Sequence, residues 1–336
     1  MIFIFTGLCF AVMLISGFSD SAGAITGCVS ARSLSPEGAV RLAAVCTFTG
    51  AMAAAVFGSR VARTYYGIAD FGGEGDALPS LCAALCAVML WSVIAHSASL
   101  PTSESHALVS GMTGAALARR MSLSALSLEE WGAVLLGLLL STLPALLLGF
   151  IFNGVLSRFL ARTNRRSAVG HFRRSQRLSA AWSCVLTGAQ DCQKFMGVFM
   201  LGLSLAAPEE VREAKTLHLS IVVLCAAVLT LGALLGISGT VKKLGRDMTV
   251  LDPPEHSAAS AASSAVMTVC TLLGIPADTL QSRAAALFGA GLYNKKGSDP
   301  RVAAQILGAW LLTFPVCGGI GFILSYISSA SARLFL

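Results

Sequence analysis

Three long stretches without Asp, Glu, Lys or Arg limit what this chain of 336 residues can fold into. They are Gly132–Phe152, Leu217–Val241 and Val302–Ile327. Each reaches the roughly 20 residues that a helix needs to cross the hydrocarbon core of a bilayer. Because lipid offers the backbone no hydrogen-bond partners, a segment of this kind crosses as a helix. The chain is also only 12% charged, about half the usual fraction for soluble domains.

These features predict an all-α protein that crosses the cell (inner) membrane several times, with about 10–12 membrane-inserted segments. Its immediate partner is the lipid bilayer. The ten cysteines stand singly in apolar sequence, where cysteine acts as a small packing residue, so we expect no disulfide framework and no transition-metal site. No cofactor is expected beyond a coupling ion, and nucleic acid is not an expected partner.

Two acidic residues interrupt the apolar sequence. Asp191 lies in the run Gly188–Lys194, and Asp20 follows the apolar stretch Met1–Ser19. A charge at membrane depth is costly and usually faces an ion or substrate path. We therefore expect a broken helix at each aspartate, with both carboxylates facing a transport site.

The spacing of these residues indicates an internal duplication. Asp20 and Asp191 are 171 positions apart, and Pro101 and Pro276, which begin two polar interruptions, are 175 apart. Interrupted helices at matching places in two halves are typical of transporters built from inverted repeats. Half-helix N-termini attract anions, whereas carboxylates and free carbonyls suit Na⁺. Cotransport of an anion with a cation follows from this chemistry.

Seven arginines and no acid lie between Arg158 and Arg177. Under the positive-inside rule this is a cytoplasmic loop. We predict an N-terminal repeat at 1–157, a basic cytoplasmic linker at 158–177 and a C-terminal repeat at 178–336.

At these residues the chain resembles the inorganic phosphate transporter (PiT) family. Gly188–Lys194 is similar to the family's motif at the start of the second half, and Pro101–Leu108 is similar to its proline-led motif in the first half. The segment after the first motif, Ser33–Pro36, also fits. The resemblance covers nearly the whole chain and implies phosphate transport by two inverted-topology repeats with re-entrant helices.

Several positions depart from the family pattern. Ser19 and Gly23 stand where asparagines are expected, Gln190 replaces another, and Glu104 replaces a hydroxyl residue. In the second proline-led motif, Asp278, Leu280 and Gln281 replace a serine, a hydroxyl residue and a histidine. Glu104 and Asp278 would repel an anion unless they hold a proton, bind a cation or pair with Arg283. The departures indicate a divergent member that is coupled to Na⁺ or H⁺, or that is selective for another oxyanion such as sulfate.

The resemblance implies a role for each candidate residue. Asp20 and Asp191 would hold Na⁺, and the hydroxyls of Ser19, Ser103, Ser105 and Thr279 would serve cation and anion. Gln190 and Gln193 would donate to the oxyanion. Lys194 lies one helical turn after Asp191, so an ion pair and an anion contact both remain open. Glu104 and Asp278 complete the site, and His106, Pro101, Pro276 and Arg283 would orient it.

Other functions remain open. They are transport of sulfate or another oxyanion, transport of a divalent metal by Glu104, His106 and Asp278, and a non-transporting sensor whose site is lost. An enzyme is not expected, because the chain has no nucleophile elbow and no HExxH motif. Homodimerisation through small-residue faces is compatible with the composition.

Overall fold

The structure is a computed structural model that describes residues 1–30, 32–57, 60–72, 77–97, 103–160, 165–206, 219–235, 252–294 and 300–334. Within these ranges the chain forms eleven α-helices and one short 3-10 turn. The helices are α1 Ile2–Ser30, α2 Pro36–Phe57, α3 Arg60–Gly67, α4 Ala77–Ser97, α5 Glu104–Arg120, α6 Leu128–Leu160, α7 Arg165–Ala206, α8 Leu219–Leu235, α9 Pro253–Leu273, α10 Thr279–Asn294 and α11 Pro300–Leu334.

Five of these helices are long and apolar enough to cross a membrane, namely α1, α4, α6, α9 and α11. Their lipid-facing sides carry exposed Leu, Ile, Val and Phe, most densely on α6 and α11. The prediction of a polytopic all-α membrane protein is confirmed.

Two helical hairpins point their tips at each other inside the bundle. The first consists of α4 and α5, and α5 begins after the cap residue Ser103. The second consists of α9 and α10. There α9 ends at Gly274, whose φ of 68° is left-handed, and Pro276 lies in the short loop before α10. The predicted break at Pro276 is confirmed, whereas Pro101 lies outside the described residues.

The helices that carry the two aspartates are not broken, and this corrects the sequence-based expectation. Asp20 lies within α1 and Asp191 lies within α7, and both helices continue through these residues. The carboxylates find side-chain partners at helical spacing, Ser16 for Asp20 and Lys194 for Asp191. Because these side chains satisfy the two carboxylates, no hydrogen bond of the helix backbone has to break to supply a partner, and each helix continues.

The basic segment is also more ordered than a loop. Helix α6 runs to Leu160, and α7 begins at Arg165, so most of 158–177 is helical. Within α7, Arg177 donates through Nε to the carbonyl of Ser33, 2.8 Å away, in the turn that follows α1. The end of α1 and the basic part of α7 therefore lie on the same side of the bundle. The cytoplasmic location of that side and the boundaries of the halves stay predictions.

Each re-entrant helix packs mainly on the last long helix of the other half, α5 on α11 and α10 on α6. Small residues allow the close approach. A Cβ atom on Gly149 would overlap the carbonyl of Ala286, and one on Gly289 would overlap that of Leu146. Asn153 of α6 also donates to the carbonyl of Ala290, at 2.8 Å. Helix α10 is thus held along its length by a helix from the opposite repeat.

We predict that Gly149→Ala destabilises the protein, because the new methyl group would meet backbone that cannot rotate away. Overpacking of this kind costs ~1–3 kcal/mol, which thermal unfolding in detergent should detect as a lower Tm. Gly132→Ala is the matched control, since it lies on the same helix with nothing within 4 Å of its added Cβ. Equal Tm values for the two variants would contradict the close packing of α6 on α10.

Candidate functional site

Four carboxyl groups surround one ammonium group at the centre of the bundle. Asp20 comes from α1, Asp191 and Lys194 from α7, Glu104 from the first turn of α5, and Asp278 from the residue before α10. These groups interact electrostatically with one another. Asp191 and Lys194 are almost completely buried. The structure thus brings together charged residues from both halves that the sequence predicted as one site.

Lys194 is held between two partners. Its Nζ lies 2.6 Å from Asp191 Oδ1 and donates to Ser105 Oγ at 2.7 Å. The local ion pair, one of the two readings open from the sequence, is therefore formed. Tyr65 of α3 is also buried and lies close enough to Lys194 to interact with it electrostatically. The sequence analysis missed Tyr65, because α3 carries no motif and approaches the site only through tertiary packing.

Asp20 and Asp191 interact electrostatically across the contact between α1 and α7. Ser16, one turn earlier on α1, donates to Asp20 Oδ2 at 3.3 Å. Two ionised carboxylates this close repel each other, so the pair favours a proton or a cation in addition to Lys194. The i, i+4 spacing of Ser16 and Asp20 was the signal that could have identified Ser16.

The N-termini of α5 and α10 meet through their cap residues. Ser103 accepts from the backbone N–H of His106 at 3.3 Å, and Asp278 accepts from that of Gln281 at 2.9 Å. Ser103 Oγ also donates to Asp278 Oδ2. The Asp278 carboxylate thus occupies the place between two helix N-termini that is electrostatically suited to an anion.

Residues that depart from the family pattern contact one another in pairs. Ser19 Oγ donates to Glu104 Oε1 at 2.7 Å. A Cβ atom on Gly23 would lie 2.8 Å from Leu280 Cδ1, so the leucine fills the space that an asparagine would need. In each pair a small residue on α1 faces a larger one from the tip of a re-entrant helix. The substitutions fit together as a remodelled site.

The two glutamines of α7 differ in what they can offer a ligand. Gln190 Nε2 donates to Thr271 Oγ1 at 3.1 Å and to the carbonyl of Ile275 at 3.2 Å. This leaves Gln190 no free N–H for an oxyanion, contrary to expectation. Gln193 is 1% exposed, and neither polar atom of its amide has a partner among the described residues.

The predicted orienting residues have separate positions. His106 is buried, stacks on Phe314 at 4.6 Å, and lies 3.3 Å from Gln281 Nε2, its counterpart in the other half. Pro276 lies in the loop before α10, and Thr279 is the first, half-buried residue of that helix.

Arg283 forms no ion pair with Glu104 or Asp278, so the structure does not realise this one of the three alternatives that the sequence left open. Its only recorded hydrogen bond among the described residues runs from Nη2 to Ser260 Oγ, 3.5 Å away. Arg283 lies one turn beyond the tip of the hairpin, so its side chain reaches α9 rather than the central carboxylates.

Comparisons with known proteins agree with this architecture. The chain is 28% identical to a "probable low-affinity inorganic phosphate transporter" of Bacillus subtilis (strain 168), over 93% of this chain and 92% of the relative. A protein of the same description from Rhizobium meliloti (strain 1021) is 29% identical over 90% of this chain and 88% of its own length.

Among solved structures, one described as "The sodium-dependent phosphate transporter" superposes with a TM-score of 0.82. It shares 19% sequence identity, and the match covers 100% of this chain and 99% of the other. At this identity the likeness concerns the fold. The profile of the phosphate transporter family matches twice, at residues 16–171 and at residues 161–321. The two matches follow the two repeats seen in the structure, and the chain belongs to the phosphate transporter family.

Proposed function

We propose that this protein transports inorganic phosphate across the cell membrane by secondary active transport coupled to the entry of Na⁺ or H⁺. The observation that carries the proposal is the central cluster, in which one ammonium group faces four carboxyl groups from both repeats. Two relatives that align over nearly the whole chain are each described as a "probable low-affinity inorganic phosphate transporter".

The charge balance supports a coupling cation. Formal charges of the four carboxyl groups exceed that of Lys194, and a buried surplus of negative charge is costly. Binding Na⁺ or H⁺ offsets this cost. Glu104 Oε2 is buried without a partner among the described residues, so it is a candidate acceptor for the cation.

Phosphate requires donors close to the bound cation. Lys194 and Ser105 supply an ammonium and a hydroxyl, and the unpartnered amide of Gln193 supplies N–H groups. Asp278 holds the place between the two helix N-termini, so we propose that the oxyanion binds beside it, toward Lys194. The bound cation would then screen the anion from the carboxylates.

Alternating access would arise at the hairpin tips. Ser103 and Asp278 join α5 to α10, and each of these helices is packed on a helix of the opposite repeat. Movement of one repeat against the other would break or remake this contact and open the site to one side at a time.

The alternatives receive less support. For a divalent metal, Glu104, His106 and Asp278 would have to converge, but Glu104 is bound to Ser19 and His106 faces Gln281. Among the described residues no group of three or more His, Cys, Asp and Glu is arranged to hold a metal. If the protein were a sensor that had lost its binding site, nothing would have selected the paired substitutions to fit each other. Sulfate and other tetrahedral oxyanions have the same shape as phosphate, so a competition experiment has to distinguish them from phosphate as the substrate.

The first test is uptake of radiolabelled phosphate into proteoliposomes under a Na⁺ gradient, a proton gradient or neither, with excess unlabelled sulfate in parallel. We predict uptake with one of the gradients, little competition by sulfate, and loss of at least ~90% of uptake in Asp191→Asn, because Lys194 loses its charged partner. Asp70→Asn is the control, since it removes an exposed carboxylate paired with Arg120. No uptake of any oxyanion by folded protein would reject the proposal.

The carboxylates added at the hairpin tips should control the coupling ion. We predict that Glu104→Thr raises the coupling-cation concentration for half-maximal uptake about tenfold, as expected for loss of a charged ligand worth ~1.4 kcal/mol. Asp278→Ser should lower the KM for phosphate, because it frees the paired helix N-termini. Glu129→Gln, at an exposed end of α6, is the control. Uptake that is unchanged in both variants would show that these carboxylates do not contact the transported ions.

The contact between positions 23 and 280 can be tested by replacing first one residue of the pair and then both. Gly23→Asn alone should abolish uptake and lower Tm, because the new side chain would collide with Leu280. Adding Leu280→Thr should restore much of both, since threonine is smaller. Gly7→Asn on the same helix has nothing within 4 Å and should have little effect. If the double variant is no better than Gly23→Asn, the two positions do not compensate each other.

A further inference from the structure

A basic group that the central site does not use lies between that site and one end of the bundle. Arg283 is in the second turn of α10, beyond the hairpin tip. A Cβ atom placed on Gly27 would lie 3.5 Å from Arg283 Nη2 and 4.0 Å from His256 Nδ1. The two basic side chains therefore converge on bare backbone of α1, about two turns after Asp20.

No acidic side chain within the described parts of the chain forms an ion pair with this guanidinium. Its neighbours are Ser260 at 3.5 Å, the thiols of Cys28 and Cys184, and the imidazole of His256. The nearby carboxylate of Glu255 is engaged elsewhere, with Asn294 and with the backbone N–H of Asp252. A half-buried cation without a counter-ion is costly, and a diffusible anion would remove that cost.

The first repeat shows that the fold does not need this charge. Leu108 occupies the position of α5 that corresponds to Arg283 of α10, counted from the residues Ser103 and Asp278 that cap the two helices. Leu108 is 2% exposed. A leucine satisfies the packing at this position of the hairpin, so the arginine has another use.

Leu280 separates the two regions. It packs on Gly23, which lies on the face of α1 between Asp20 and Gly27. An anion at Arg283 would therefore be on the far side of Leu280 from the carboxylate cluster. That side holds the N-terminus of α9, whose Pro253 carbonyl accepts from Gln176 at 2.8 Å. It also holds Arg177 and is the predicted cytoplasmic side.

We propose that Arg283, His256 and Ser260 form a second oxyanion-binding site, on the cytoplasmic side of Leu280, that takes inorganic phosphate as it leaves or enters the central site. Naming phosphate as the occupant rests on the proposed function. The guanidinium supplies paired N–H donors that match two oxyanion oxygens, the serine supplies a hydroxyl, and Gly27 presents no side chain beside them.

The test measures phosphate exchange from each face, in everted and in right-side-out membrane vesicles. We expect Arg283→Leu, which installs the residue of the other repeat, to raise the KM for phosphate at the cytoplasmic face about tenfold, as for loss of one charged hydrogen-bonding group. The KM at the outer face should change less than about twofold, within ordinary mutational scatter. Arg283→Lys, which keeps the charge, should remain within about threefold of the parent protein.

Two further measurements keep the proposal testable if Arg283→Leu folds poorly. Gly27→Ala leaves Arg283 in place but puts a methyl group against its guanidinium, 3.5 Å from Nη2, and it should also raise only the cytoplasmic KM. Equilibrium binding of radiolabelled phosphate to the purified parent and Arg283→Lys proteins should be similar, and weaker in Gly27→Ala.

Unchanged KM values at both faces in Arg283→Leu and Gly27→Ala would overturn the proposal. Equal losses at both faces that Arg283→Lys does not rescue would assign Arg283 a structural role and would also overturn it. If the parent protein transports no phosphate but binds it in a manner that depends on Arg283, the proposed function fails and the second site stands.

Discussion

The repulsion among buried carboxyl groups is the constraint on which the rest of this structure depends. Asp20 and Asp191 interact electrostatically with each other, and the ammonium group of Lys194 bonds to Asp191 and Ser105. Inside a membrane such a cluster is tolerated only where partners or ions neutralise it. The unbroken helices α1 and α7 supply the fixed part of this neutralisation, and a transported cation would supply the rest. Transport and stability therefore depend on the same charge balance.

In the sequence, the substitutions at the hairpin tips resemble the loss of a motif. In the structure, the substituted residues contact one another. Ser19 and Gly23 are both smaller than the residues the family pattern predicts, and each contacts a residue that also departs from the pattern, Glu104 and Leu280 respectively. The substitutions place a carboxylate, on Glu104, at the centre and an apolar side chain, Leu280, between the centre and Arg283. This change favours a cation-rich centre and a hydrophobic separation from Arg283, in agreement with two successive anion sites along one path.

Much of the architecture could be predicted because lipid leaves the chain few options. The uncharged stretches had to form helices, and the matching offsets of the Asp and Pro pairs correctly indicated two repeats with re-entrant hairpins. The expected breaks at Asp20 and Asp191 were wrong, because a sequence does not show whether a buried charge is satisfied by unwound backbone or by side chains one turn away. The helical state of the basic segment after Arg165 was missed for a similar reason, since its packing partner, the end of α1, is distant in sequence.

By itself the sequence determined the environment of the chain, its helical class, its duplication and the identity of most charged residues in the centre. The length of a hydrophobic stretch and the cost of an isolated charge in lipid depend on the local sequence, so both can be recognised from the sequence alone. Only the tertiary structure decided which of these residues meet: Lys194 with Ser105, Asp278 with Ser103, Leu280 with Gly23, and Arg283 with Ser260 rather than with a carboxylate. These contacts join residues that are distant in the sequence, and they depend on how closely the helices approach, which the glycines at the crossings permit.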